Sequence, residues 1–141
     1  AVITEVIHDF HSAFNFTLAH SQKGPCFRIK NLIPLNLEKA HRGTEEAGTK
    51  LLLSHDPSHW NAEVTKKYKD IDVAFAGHTH GSQFGVKIGD FRWSPSQYIY
   101  KQWAGLYHED GQQLYVNRGY GYLGYPGRVG MPPEISIFTL S

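Results

Sequence analysis

An α/β fold is what this sequence predicts, and three observations carry the prediction. Two short apolar runs, Lys50-Leu51-Leu52-Leu53-Ser54 and Ile71-Asp72-Val73-Ala74-Phe75-Ala76, read as buried strands. Between them Trp60, Val64 and Tyr68 recur every four residues, the stripe of an amphipathic helix. Further on, Glu109-Asp110-Gly111 separates two strand-like runs over 104–108 and 112–117, a hairpin signal. The expected architecture is a right-handed βαβ unit over 50–76 with parallel strands, followed by mostly antiparallel strands.

Taken in order, Ala1 to Ile7 is rich in β-branched residues and reads as a strand. Residues 12–33 alternate in patches around a Lys23-Gly24-Pro25 turn, so two edge strands are expected there. Leu35 to Ala47 reads as a short helix broken at Gly43. Pro57 ends the strand 50–54, because it has no N–H for a ladder. Asp56 or Ser58 caps the helix that follows, which runs to about Lys69. Glu63, Lys66, Lys67 and Lys69 fall off its apolar stripe and form a solvated face. Residues 82–90 read as a strand entering a turn, and Phe91 to Trp103, broken by Ser94-Pro95, as an aromatic loop. The glycine-rich stretch 117–130 reads as a loop. Pro132-Pro133-Glu134 then leads into a last strand, Ile135 to Leu140.

The 141 residues suffice for one domain, which at this size buries roughly 70% of its unfolded surface. With 40% hydrophobic and 19% charged residues, the composition is that of a folded chain. A net charge of +1 gives no electrostatic case for nucleic acid, which calls for a basic stripe. No apolar run approaches the ~20 residues of a membrane span. Cys26 is the single cysteine, so no intrachain disulfide forms; this fits a reducing compartment and points to a cytoplasmic location. His20 and His41 have no partner at ligand spacing and read as surface residues.

The chemistry concentrates in Gly77-His78-Thr79-His80-Gly81, which follows the second apolar run. On an extended chain, residues two apart share a face. His78 and His80 are therefore expected to project together from a strand end while Thr79 turns away. Because the βαβ strands run the same way, His55, at the end of the first strand, is expected at the same sheet edge. Three imidazoles meeting there suit a divalent metal site. Thiolate ligands are lacking in this region, so Mn, Fe or Zn all fit. Arg118 and Arg128 in the glycine-rich loop are planar forks suited to phosphate oxygens, with Arg118 the first choice and Asn117 beside it.

These residues give the chain a resemblance. Leu51-Leu52-Leu53-Ser54-His55-Asp56-Pro57, Gly77-His78-Thr79-His80-Gly81, Tyr115-Val116-Asn117-Arg118-Gly119-Tyr120-Gly121 and Pro132-Pro133-Glu134-Ile135 resemble the C-terminal half of a calcineurin-like metallophosphoesterase. The likeness covers about 35–141 and leaves 1–34 unassigned. It implies a partial two-sheet α/β/β/α sandwich and hydrolysis of phosphate mono- or diesters by a metal-activated hydroxide. It also implies two divalent ions in the intact site, with His55 and His78 on one and His80 on the other. A small phosphate ester is the implied substrate, with Asn117 and Arg118 binding it.

The family's upstream Gly-Asp-x-x-Asp and Gly-Asn-His motifs do not occur here, and the catalytic residue is left unnamed. Asp9-x-His11 has the letters of a further upstream motif but stands too close to Gly77 for the usual intervening half domain. It reads as a polar turn. Two cations side by side need a carboxylate between them, and three histidines supply no negative charge. The chain is thus expected to carry an incomplete catalytic domain. Its inner sheet would then expose a face and an edge, which favours homo-oligomers. The alternative expectation is a non-catalytic, self-associating fragment with a residual three-histidine metal site.

Overall fold

A computed structural model describes residues 2–6, 29–31 and 37–139. The candidates Asp9, His11, His20 and Cys26, and the turn at Lys23, lie outside the described residues. Eight strands are described: β1 Val2–Val6, β2 Ile29–Asn31, β3 Lys50–Ser54, β4 Val73–Ala76, β5 Val86–Ile88, β6 Phe91–Trp93, β7 Gly105–Glu109 and β8 Gln112–Val116. Six of them form one sheet in the order β2-β1-β3-β4-β8-β7, and β5 pairs with β6 in a small antiparallel sheet. Within the large sheet every neighbouring pair is parallel except the antiparallel β7–β8 hairpin at its edge. The fold is therefore mixed α/β with a mixed sheet.

The βαβ expectation holds at its strands. Leu51, Leu52 and Leu53 of β3 pair in register with Val73, Ala74 and Phe75 of β4. Strand alternation sorts these residues onto two faces. Leu52, Ala74, Ala76, Leu114 and Val116 pack with Trp60, Val64 and Ile71, and with Leu37 and Ala40 of α1 (Leu37–His41). Leu51, Leu53 and Phe75 form a second cluster on the other face, with Val73 and Tyr115 against it. The stripe read from the sequence is thus the helix's buried face: Trp60 and Val64 are buried and Tyr68 packs against them. Burying each such side chain contributes roughly 1.5–3 kcal/mol.

The helix itself differs in winding and length. It is π-wound over Trp60–Val64 and α-helical over Thr65–Lys67, ending before Lys69. Just ahead of it Asp56 accepts a hydrogen bond from the Ser58 N–H at 2.7 Å, whereas the N-cap residue, His59, makes no side-chain cap bond. β4 begins at Val73 rather than Ile71, and the Asp72 carboxylate accepts from the Lys50 N–H (2.7 Å) at the mouth of β3. The Asp-Gly hairpin is present: Asp110 and Gly111 both take positive φ (50° and 83°), as its tight turn requires.

Two expectations need correction. Phe91–Trp93, read as loop, is strand β6, paired with β5 in the register Val86↔Trp93. An aromatic run without alternation hides a strand whose two faces are both largely exposed. Conversely, Ile135 to Leu140, read as a final strand, has no ladder through its described residues up to 139. Its alternation points the wrong way for a core: Ile135 and Ile137 are exposed, at 80% and 91%. The polar residues between them turn inward instead. Ser136 Oγ donates to the Tyr115 hydroxyl at 2.9 Å, and Glu134 accepts from it as well. Phe138 closes the contact with its ring 4.6 Å from Phe75.

Candidate metal centre

The carboxyl ends of β3, β4 and β8 come together at one rim, where α/β sheets place their ligands. Main-chain bonds join them: the Gly77 N–H donates to the His55 carbonyl (3.0 Å) and the Asn117 N–H to that of Ala76 (2.8 Å). On this rim His55 Nε2 stands 2.9 Å from His78 Nδ1, with ring centroids 4.8 Å apart. Two nitrogens bound to one tetrahedral zinc at 2.0–2.1 Å stand about 3.3 Å apart, so this pair is close to a shared-ion spacing. Tyr100 and His78 meet in a T-shaped contact, ring centroids 5.6 Å apart.

The route by which the two histidines of the motif reach the rim differs from expectation. β4 stops at Ala76, and the motif is not extended. His78 and His80 both adopt positive φ, 63° and 48°, as do Ser82 and Gln83. Each such non-glycine residue costs on the order of 1 kcal/mol, a strain typical of functional turns. Buried polar contacts hold the turn in place. Thr79 faces inward and donates its hydroxyl to the Trp103 carbonyl at 2.8 Å, while Ser94 Oγ donates to the Gly81 carbonyl at 2.7 Å.

His80 does not join the His55–His78 contact. Its Nδ1 lies 3.4 Å from the Arg128 guanidinium, whose Nη2 also donates to the carbonyls of Arg118 (2.9 Å) and Gly121 (2.7 Å). Burial, then the charges of Arg128 and His78, push the His80 pKa down, so its neutral, ligating form is favoured. Asp56 also stays charged. Burial raises its pKa, but the Ser58 hydroxyl and N–H and the charge of His78 outweigh that and hold it low.

Arg118 and Asn117 are at the rim, but their polar ends serve the fold. Arg118 is buried, its Nε 2.5 Å from Glu134 Oε2 and its Nη1 3.2 Å from Met131 Sδ. The Asn117 amide donates to Ser136 Oγ at 2.8 Å and accepts from the Gly119 N–H. Arg128, ranked second from the sequence, is the arginine against a candidate ligand. Two residues not expected from the sequence stand near the rim: Tyr100, against His78, and His59, whose Nδ1 is 2.8 Å from Ser54 Oγ. A histidine four residues after His55, at the start of a helix, was the available signal.

The donor set fits a divalent ion in part. The His55–His78 pair offers two ring nitrogens at a suitable separation. Among the described residues, however, no three His, Cys, Asp or Glu side chains converge on one point. Also among the described residues, no helix is long and apolar enough to cross a membrane.

No family model matches the chain, and no solved structure matches it. Curated relatives do. The chain is 32% identical over 108 residues to a zebrafish (Danio rerio) protein named "Transmembrane protein with metallophosphoesterase domain", covering 75% of this chain and 23% of that protein. It is 33% identical over 91 residues to the "Uncharacterized metallophosphoesterase YkuE" of Bacillus subtilis, covering 64% of this chain and 30% of that one. The cattle (Bos taurus) protein of the same name as the zebrafish one is 31% identical over 108 residues, covering 75% and 23%. The chain thus spans 23% to 30% of the length of these relatives. Over that span it is a relative of the metallophosphoesterases.

Proposed function

We propose that this chain forms the histidine-bearing part of a metal-dependent phosphoesterase, whose complete fold is the two-sheet sandwich and whose substrate is a small phosphate ester. His55 and His78 hold one divalent ion (Mn, Fe or Zn), and His80 serves a second. Further donors, including a carboxylate between the ions, come from residues beyond these. The observation that carries the reading is the 2.9 Å approach of His55 and His78 at the carboxyl edge of two parallel strands.

When bound, two such ions lower the pKa of a coordinated water and clamp the entering and leaving oxygens of the ester. The chain's own residues orient and neutralise. Tyr100 backs His78 and fixes its ring plane. Arg128 sets a positive charge against His80, favouring neutral imidazole there and an anionic ester nearby. Arg118, locked onto Glu134, holds the loop from which Asn117 and Arg128 approach the rim.

Calorimetric titration of metal-stripped protein with Zn²⁺ or Mn²⁺, followed by hydrolysis of bis(p-nitrophenyl) phosphate, tests this. Metal binding that disappears in His55→Ala and His78→Ala is expected. A chain that binds neither ion, or binds them equally well without His55 and His78, overturns the reading.

A further inference from the structure

A cleft of about 340 Å³ opens beside the His55–His78 rim, between the start of the π-wound helix and the loop 99–102. Its lining includes the apolar Pro57, Ala62 and Ile99 and the polar Asn61, Lys101 and Gln102, with Tyr100 among them. Its size lies at the lower end of small-molecule sites, about 300–1,000 Å³. That is room for one substituted ring and far more than phosphate alone needs.

The helix and the loop beside it are tied together, and Tyr100 links the cleft to the site. Gln102 is 6% exposed and exchanges hydrogen bonds with Asn61: Asn61 Nδ2 donates to Gln102 Oε1 at 2.6 Å and Gln102 Nε2 to Asn61 Oδ1 at 3.3 Å. This pair ties the helix to the loop. Each amide carries a second N–H that can meet the polar edge of a ligand. Tyr100 belongs to both places, lining the cleft while its ring meets His78 at 85°. Lys101 is the one charged residue in the lining, so the cleft disfavours a cationic group and accepts a neutral or anionic one.

We propose that this cleft holds the organic part of the ester, a flat ring-bearing alcohol of neutral or anionic character, while its phosphate sits at the histidine rim. The inference rests on the phosphoesterase reading and narrows it to aryl- or nucleoside-type esters, against those of small alkyl or quaternary-ammonium alcohols.

The test is an amide-resolved NMR titration of the ¹⁵N-labelled chain with Zn²⁺ present, using inorganic phosphate and phenyl phosphate as probes. Both are expected to shift resonances around His55 and the 77–81 turn. Phenyl phosphate alone is expected to shift 58–62 and 99–102. Ala62→Trp, at an exposed position, fills the cleft. It is expected to weaken phenyl phosphate at least tenfold and to leave phosphate binding unchanged, which also reports that the variant is folded. If phosphate binds at the rim but phenyl phosphate leaves 58–62 and 99–102 unmoved, or binds Ala62→Trp as well as the native chain, the cleft proposal falls alone. If phosphate does not reach the rim, the phosphoesterase reading falls and the cleft proposal with it.

Discussion

His55 Nε2 and His78 Nδ1 face each other at 2.9 Å from the ends of two adjacent parallel strands, whereas His80 lies against Arg128. This division predicts how substitutions combine. If His55 and His78 share an ion, losing either removes most of its binding, and losing both costs little more. Each of His55→Ala and His78→Ala is expected to weaken the first zinc equivalent at least about tenfold. The double variant should fall well short of the product of the two, a coupling that a double-mutant cycle reads directly. His80→Ala should leave that first equivalent nearly unchanged. Strictly multiplicative losses from His55 and His78 would show that the two do not act on one ion.

Glu134 and Arg118 form a nearly dry ion pair, with side chains 12% and 9% exposed, that pins the C-terminal segment over β8. Burial raises the Glu134 pKa, but hydrogen bonds from Tyr115 and Arg118 and the charge of Arg118 outweigh it and hold the carboxyl below its ordinary value of 4.5. A carboxylate depressed on folding contributes stability that is fully present above the ordinary value. That contribution is lost as pH falls through the lower folded value. Glu134→Gln leaves Arg118 buried without its counter-charge, at a cost of about 3–5 kcal/mol near pH 7. Urea midpoints measured from pH 7 to pH 3 should fall for the native chain on the acid side, and that part of the fall should be missing in Glu134→Gln. Parallel acid limbs would place the pair's contribution elsewhere.

The same pair shows where sequence reading stops. β3, β4 and the hairpin were legible because their signals are local: an apolar run between turn residues, and Asp-Gly between two strands. The meeting of His55 with His78 followed from the parallel order of those strands. Arg118, read as the first-choice phosphate contact, stands against Glu134, since a loop arginine reads the same whether it faces solvent, a phosphate or a buried glutamate. The segment 135–139 misled for a related reason. Its alternating Ile135, Ile137 pattern is that of a strand, but Tyr115 and Asn117 offer polar partners on the inside, so Glu134 and Ser136 turn in and the isoleucines turn out. Which face of an alternating segment is buried depends on what it meets, and that is set by residues far away in the chain. The left-handed turn at His78 and His80 was equally hidden, because it depends on buried bonds from Thr79 and Ser94.

Trp60 anchors the helix against the sheet with 2% exposure, yet its indole Nε1 meets no hydrogen-bond partner among the described residues. Packing and polarity therefore pull in opposite directions at one side chain. Trp60→Ala loses the packing and opens a cavity, costing about 3–5 kcal/mol. Trp60→Phe keeps most of the ring volume and removes a buried donor, so its cost should stay below about 1.5 kcal/mol. Chemical denaturation of both variants separates the two terms. Equal losses would mean that the indole N–H is satisfied in solution.

Gly130 and Gly124 both sit at positive φ, 63° and 74°, but their surroundings differ. A β-carbon on Gly130 would fall inside the contact radius of the Gly85 carbonyl oxygen, whereas one on Gly124 would meet open space. Gly124→Ala thus bears only the left-handed backbone penalty, about 1–2 kcal/mol. Gly130→Ala bears that penalty and also forces apart the crossing where Gly85 N–H donates to the Val129 carbonyl at 2.9 Å. Met131, buried beneath Gly81 of the histidine turn, follows directly in the chain, so the disturbance reaches the site. Gly130→Ala should therefore be the less stable of the two in a thermal melt and should also weaken zinc binding, while Gly124→Ala keeps it. Equal stability and equal zinc affinity in the two variants would show that the 85–130 crossing does not support the rim.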